Sequence, residues 1–327
     1  MKLSRNFAWG PGALGLVMLL STSMAHGFCR TTTCDPTAAC VASGSPDAVG
    51  DNNICCDRSA CDQSGKPIFW ANTCVSYNIH QEGSVKREVD AQVFSDIVDD
   101  AYDKWLKADC EGESVSLAVD ARGFAECGTP QYNQGSKDRN ANVWMFRDTG
   151  DLSGGAATDA DEVDASALAL STISFNADSG AIVDVDVELN SAVAAFTTTD
   201  EPDAVGIDLA SVVTHETGHF LGLNHSLDRF AVMDPSYQPG SMDSRDLKQD
   251  DIDGVCAIYP ANRPIEPENA TCEPSGKYDT RCEGGGCGCS QAGSDVSSAP
   301  RQALLWLGAL LLPALVSRRR NKSSNRA

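Results

Sequence analysis

Three histidines at fixed spacing constrain this chain more than any other feature of its sequence. His215 and His219 lie four residues apart, so a helix would place both imidazoles on one face. Gly222 allows the chain to leave that helix sharply, because a left-handed backbone conformation is cheap only for glycine. His225 can then turn back toward the other two. The pattern therefore predicts a helix that ends in a sharp turn and holds three imidazoles around one point.

These three imidazoles are expected to bind one zinc ion. Three neutral nitrogen ligands leave a fourth position open for water, which is typical of catalytic rather than structural zinc. Glu216 follows the first ligand and is placed to hold that water rather than to bind the metal. Two histidines on a helix can also be ordinary core or surface residues. The full motif, however, fixes five positions and holds three of the five histidines of the chain, which argues against chance.

The residues that follow the motif carry a family resemblance. Met233 lies eight residues beyond the third histidine, where it matches the Met-turn that underlies the zinc site of metzincins. Ser226 directly after that histidine, and Pro235 and Tyr237 after the methionine, make this stretch most similar to the matrixins. The resemblance covers roughly residues 72–260.

This resemblance implies an α+β fold, with a twisted mixed sheet, an upper helix, an active-site helix and a closing C-terminal helix. It also implies a zinc endopeptidase in which Glu216 is the general base and then carries the proton to the leaving amine. Met233 would be the hydrophobic floor of the site, and Pro235 to Tyr237 would form a wall of the pocket for the residue after the scissile bond. The edge strand Ile182–Leu189 would pair with extended substrate through its main chain.

Acidic residues on one predicted strand raise the question of calcium. Asp184, Asp186 and Glu188 alternate along the chain, so their side chains share one strand face. Oxygen ligands suit calcium, but acidic runs are usually only solvated, and both interpretations stay open. Outside the motif the chain has only His26 and His80. A second, structural zinc like that of vertebrate-type matrixins is therefore not expected.

Charge and cysteine content narrow the class of protein further. Lys+Arg 25 against Asp+Glu 46 gives a net charge of −21, and so acidic a protein repels phosphate backbones, which argues against nucleic-acid binding. Fourteen cysteines indicate either an oxidising compartment or metal binding, and we expect the cysteines before the linker to be mainly in disulfides. We expect Cys256, near the closing helix, to tether that helix to an earlier segment.

Both ends of the chain predict export. Residues 1–27 contain basic residues, an apolar run and small residues, in the order of a signal peptide, so the mature chain would begin at Phe28. Residues 287–327 combine a Gly/Cys element with Cys287 and Cys289, an apolar helix and an Arg cluster. This order resembles the myxobacterial C-terminal sorting signal; a plain tail anchor is the alternative. The resemblance implies a protein sorted by export machinery to the cell surface or exterior of a Gram-negative bacterium, with one of the two cysteines modified.

Between these ends the sequence predicts one main domain. Residues 28–71 form a Cys-rich lead-in, residues 72–260 the matrixin-like domain, and residues 261–286 a Pro- and Gly-rich linker. Within the domain, residues 84–107 have the four-residue apolar period of an amphipathic helix.

Two functions from different classes fit these observations. The first is a monomeric, secreted or surface-sorted zinc endopeptidase that acts on protein or peptide substrates. The second is a non-catalytic surface adhesion or binding protein that retains the metzincin fold. Glu216 favours the first, because a protein without catalysis needs no carboxylate at that position. A different zinc hydrolase such as an amidase is a third candidate, against which the Met-turn argues.

Overall fold

The computed structural model describes seven parts of the chain: residues 28–33, 65–132, 139–149, 152, 167–272, 277–281 and 302–307. The strands are β1 (Cys29–Arg30), β2 (Cys74–His80), β3 (Ala118–Ala125), β4 (Arg139–Asn140), β5 (Val143–Phe146), β6 (Ala169–Asn176), β7 (Ile182–Leu189), β8 (Phe196–Thr197), β9 (Ile207–Asp208), β10 (Leu223–Asn224), β11 (Lys277–Tyr278) and β12 (Gln302–Leu307). The helices are α1 (Ala91–Leu106), α2 (Leu209–Phe220) and α3 (Gln249–Ile258). This confirms the predicted α+β class and its three helices.

The central sheet is mixed and runs in the order β3-β2-β5-β7-β6, with β12 added beyond β6. The first four of these strands are parallel, and β6 and β7 form an antiparallel pair. The prediction that Ile182–Leu189 is an edge strand is wrong, because β7 pairs with β5 on one side and β6 on the other. The chain turns back after β6, and β7 then lies between β6 and β5. Strand β6 is therefore the outer strand of the five that precede α2 in the sheet.

Helix α1 covers the sheet, but it starts later than the apolar period predicts. Its N-cap is Asp90, whose side chain accepts a hydrogen bond from the main-chain N–H of Gln92, whereas Val85 lies in the preceding turn and is 79% exposed. The buried face consists of residues three or four apart, including Phe94 and Trp105. The indole Nε1 of Trp105 donates to a main-chain carbonyl of α2, which ties the upper helix to the active-site helix.

The segments before and after the predicted domain pack onto it. Ile68 and Trp70 belong to the main hydrophobic core, and β1 pairs with β10 directly after α2. On the other side, a disulfide joins Cys74 to Cys272. The first part of the predicted linker from residue 261 is therefore held against the domain, by this covalent bond and by β11, which pairs with β4.

The cysteines of the described residues support the disulfide prediction. Cys256 of α3 is bonded to Cys110, at the end of the segment that follows α1. This confirms that the closing helix is tethered to an earlier part of the chain. Every other cysteine within the described ranges is also in a disulfide.

The C-terminal segment contributes one described strand. Residues 302–307 lie within the region for which the sequence predicts an apolar helix, but their backbone is extended and pairs antiparallel with β6, from Gln302 opposite Asn176 to Leu307 opposite Ser171. In the described parts of the chain, no helix is long and apolar enough to cross a membrane. The predicted signal peptide, Cys287 and Cys289 lie outside the described residues.

Candidate metal centre

Helix α2 carries the first two histidines and is fixed at both ends. At its start, the Asp208 carboxylate caps the helix by accepting hydrogen bonds from the backbone N–H and the hydroxyl of Ser211. At its end, Gly222 has a φ of +98°, and a Cβ at that position would lie 2.9 Å from the carbonyl oxygen of Ile68. Glycine is therefore required at this turn for two reasons, and the predicted sharp exit from the helix is confirmed.

The turn brings the third histidine to the other two. One side-chain nitrogen from each of His215, His219 and His225 lies within 4.8 Å of the others, and no other cluster of three or more such ligands occurs in the described part of the chain. The Nε2 atoms of His215 and His219 are 3.1 Å apart. Nitrogens bound at about 2.0–2.1 Å to one tetrahedral zinc are separated by roughly 3.3 Å. The geometry therefore fits a single zinc ion.

The remaining ring nitrogens orient the imidazoles for metal binding. Nδ1 of His215 lies 2.7 Å from the carbonyl oxygen of Val232, and Nδ1 of His219 lies 2.9 Å from that of Leu223. A carbonyl can only accept, so each Nδ1 carries the proton and each Nε2 presents a lone pair. Nε2 of His225 is buried without a hydrogen-bond partner. The Nε2 lone pairs of the three histidines are thus available to bind a cation.

Burial also keeps these imidazoles neutral. Desolvation, helped by the neighbouring imidazoles, lowers the pKa of His219 and of His225 to about 3 and holds the pKa of His215 well below its ordinary value. Only the neutral form of histidine can bind a metal. The ligands are therefore ready to bind a cation across the neutral pH range.

Glu216 is completely buried beside the ligands. Its Oε2 accepts a hydrogen bond of 2.7 Å from the hydroxyl of Ser171 on β6, while Oε1 has no partner. Burial raises the pKa of Glu216 to about 8, which is the direction expected for a carboxylate that exchanges protons near neutral pH. Ser171 was not singled out from the sequence, because only the fold brings β6 next to α2.

Met233 lies directly beneath α2, as the Met-turn interpretation predicts. A Cβ at Gly218 would clash with the Sδ of Met233, so glycine at this helix position allows the turn to approach. The main-chain N–H groups of Val232 and Met233 donate to the carboxylate of Asp251 on α3, at 2.8 and 3.1 Å. Asp251 was missed as a functional residue, although it indirectly fixes the carbonyl that orients His215.

The predicted pocket wall lies beside the start of α2. Tyr237 is buried; its hydroxyl accepts a hydrogen bond from the N–H of Asp208 and donates one to the carbonyl of Ser241, both at 2.8 Å. Pro235 is half-buried on the same segment. The guanidinium of Arg245 binds both carboxylate oxygens of Asp208, at 2.8 and 2.7 Å. Tyr237 and Arg245 therefore both brace the N-terminal cap of α2.

The three acidic residues of β7 are buried rather than solvated. Asp186 accepts hydrogen bonds from the main-chain N–H groups of Gln131 and Val143, and Glu188 pairs with Arg147. Asp184 keeps one oxygen without a partner. The three carboxylates do not form a common metal cluster of the kind formed by the histidines.

Comparison with known proteins places this site within a recognised family pattern. Residues 140–260 match the matrixin family model. The chain is 46% identical to metalloendoproteinase 1 of soybean, Glycine max, over 70 residues, which is 21% of this chain and 23% of that protein. It is 43% identical to human neutrophil collagenase over 77 residues, 22% of this chain and 16% of that protein. The chain thus spans less than a quarter of either relative. The residues that match the family model include the metal centre.

Proposed function

We propose that this protein is a zinc-dependent endopeptidase. One observation carries the proposal: three neutral imidazoles converge on one point beside a buried carboxylate that has one free oxygen. The matrixin match and the similarity to metalloproteinases support the same activity for the region of the site. When bound, zinc would activate a water molecule and polarise the scissile carbonyl.

The residues of the chain then have distinct tasks. His215, His219 and His225 hold the metal, and the carbonyls of Val232 and Leu223 keep two of the three rings in the required tautomer. Glu216 accepts a proton on Oε1 and passes it to the leaving amine, while the Ser171 hydroxyl holds Oε2. Burial raises the pKa of Glu216 and so favours its protonated form, which suits a carboxylate that acts first as base and then as acid.

The substrate is an extended polypeptide segment. Strand β6 carries Ser171, which contacts Glu216, and β12 of the C-terminal segment pairs along its outer side, where extended substrate would bind in place of β12. Main-chain pairing with such a strand binds peptides without strict sequence recognition. Pro235 and Tyr237 then form a wall of the pocket that receives the side chain after the scissile bond.

The protein acts outside the cytoplasm. The disulfides Cys110–Cys256 and Cys74–Cys272 favour an oxidising compartment. Residues 1–27 direct export, and residues 287–327 sort the protein to the surface of a Gram-negative cell, through Cys287 or Cys289.

Substitution Glu216→Gln tests the proposal directly. The variant should bind about one zinc per chain but lose roughly 10²–10⁴-fold of its activity on a degenerate peptide library, because an amide cannot take the proton. Glu113→Gln, at an exposed position, is the matched control and should keep full activity. Wild-type turnover in the zinc-loaded Glu216→Gln protein would exclude the general base. A zinc-loaded wild-type protein that cleaves no peptide would favour the adhesion or binding function.

A further inference from the structure

A cavity of about 430 Å³ lies apart from the metal centre, between β1, the end of α3 and the segment that follows it. Its walls include the apolar side chains of Phe69, Ile258 and Pro260, and two arginines, Arg30 and Arg263. None of the metal ligands and none of the Met-turn residues line it. The proposed peptidase site therefore gives this cavity no role.

The guanidinium of Arg30 has no counter-ion among the residues that the structure describes. Its Nε is buried and has no hydrogen-bond partner, and Arg30 takes part in no ion pair in the described part of the chain. Burial lowers the pKa of Arg30 from the usual arginine value. Desolvating a charged group without a partner is costly, so native proteins rarely keep such a group unless a ligand compensates it.

Arg263 adds a second positive charge, which no carboxylate of the described residues neutralises. Its guanidinium donates hydrogen bonds to the main-chain carbonyls of Trp70, Asn72 and Ser116, which fix its position but carry no net charge. Burial lowers its pKa as well. Glu266 lines the same cavity, yet it forms no ion pair with either arginine in the described part of the chain.

The composition of the chain makes this arrangement unusual. Acidic residues outnumber basic ones by 46 to 25, so a basic side chain has many carboxylates available to it. Arg245 and Arg147, for example, each pair with a buried carboxylate. Two arginines at one cavity without such a partner therefore indicate a place that an external anion fills.

We infer that this cavity binds a carboxylate carried on a short apolar body, with Arg30 as its direct ligand. The planar guanidinium matches the two oxygens of a carboxylate, and Arg263 contributes attraction from a fixed position. The apolar walls suit a hydrophobic body of a few carbon atoms. The net charge of −21 and the nearby Glu266 disfavour multiply charged anions such as phosphate.

Titration calorimetry on the whole protein tests this inference. N-acetyl-leucine represents a peptide C-terminus, hexanoate represents an acyl chain, and N-acetyl-leucinamide is the uncharged control. At least one of the two acids should bind, and the amide should bind at least tenfold more weakly than N-acetyl-leucine if the source is a peptide. Which acid binds more tightly distinguishes the two sources of the carboxylate.

Arg30→Gln should weaken binding of the preferred acid by roughly ten- to a hundredfold, the usual value of a charged hydrogen bond. Arg122→Gln is the control, because Arg122 is paired with Asp120 and lies over Tyr278, outside the cavity. This variant should bind the preferred acid with unchanged affinity. Since Arg30 has no partner to lose, Arg30→Gln should unfold at no lower temperature than wild type when no acid is present. The inference is overturned if neither acid binds, if inorganic phosphate binds more tightly than both, or if Arg30→Gln keeps wild-type affinity.

Discussion

The histidines of α2 and the carboxylates of β7 are both buried polar sets with regular spacing, but only the histidines meet. His215 and His219 are neighbours on one helix face, and the turn at Gly222 brings His225 in from a different direction, so that all three lie within 4.8 Å. Strand residues follow one another in a straight line.

The carboxylates of β7 therefore stand in a row. With a rise of about 3.3 Å per residue, the backbone positions of Asp184 and Glu188 are roughly 13 Å apart. A single ion with ligands at 2.3–2.6 Å, the usual range for calcium, cannot easily bridge such a span. A shared face is therefore not sufficient for a metal site, which also needs a ligand from another direction.

Removing one histidine should have the largest effect on zinc binding and activity. In His219→Gln the set loses a ligand that lies on the same helix face as His215, and zinc binding should fall below one per chain after dialysis. Activity should fall at least as far as in Glu216→Gln, whose expected loss is about 10²–10⁴-fold. Metal content and peptide cleavage measure the two effects. The control is His80→Gln, outside the motif; a His219→Gln protein that retains both zinc and activity would contradict the assignment of the ligand.

Asp251→Ala should have the next largest effect, through the Met-turn. The change leaves the N–H groups of Val232 and Met233 without their acceptor, which should destabilise the fold by about 1–3 kcal/mol. Because the carbonyl of Val232 orients His215, zinc affinity should also fall by roughly 10–100-fold. Thermal unfolding and competition with a chelator check the two results. Asp253→Ala, on the same helix, tests for a general effect of removing charge; an equal loss of zinc affinity in both variants would argue against a specific role of Asp251.

Sequence reasoning succeeded where structure is local. The spacing of the histidines, the glycine at 222 and the methionine at 233 all describe one helix and the turns that follow it, and the structure places each as predicted. Asp208, which caps the same helix, was not singled out from the sequence, although it lies only three residues before Ser211, from whose N–H and hydroxyl it accepts hydrogen bonds.

Contacts between residues far apart in the chain could not be predicted from sequence spacing. The contact of Ser171 with Glu216 spans 45 residues, and the inner position of β7 depends on its pairing with β5, for which no spacing in the sequence is diagnostic. The same holds for Ile68, which lies in the predicted lead-in but belongs to the core. The four-residue apolar period also predicted too early a start for α1, because Val85 matches the period although its side chain is exposed.

Truncation of the C-terminal segment should have a smaller effect on catalysis, through substrate binding. Six residues of β12 pair with β6, ending opposite Ser171, next to Glu216. If extended substrate uses the same strand, β12 is a tethered competitor with an effective concentration on the order of mM. Deleting residues 287–327 should therefore lower the KM for peptides by a factor on the order of ten, leave kcat unchanged and release the protein into the medium.

A variant that keeps the segment separates binding from sorting. Replacing Cys287 and Cys289 with Ser should disturb surface sorting while leaving zinc content and KM as in the full chain. A truncated protein with unchanged KM would show that substrate does not use this edge of β6, and one that fails to fold would show that the tail is structural.

The smallest expected effect concerns Asp184, the carboxylate of β7 with an unpaired oxygen. Burial holds the pKa of Asp184 well above its ordinary value, so ionisation at neutral pH costs free energy in the folded state. Asp184→Asn removes that cost and should stabilise the protein, with calcium chelated, by about 1 kcal/mol. Asp178→Asn, at an exposed position, should leave the stability unchanged.

Thermal unfolding with and without calcium then decides between a metal site and a dispersed row of carboxylates. Calcium should raise the unfolding temperature of wild type and of Asp184→Asn equally if Asp184 is not a ligand, and stabilisation of wild type alone would show that the strand holds calcium after all.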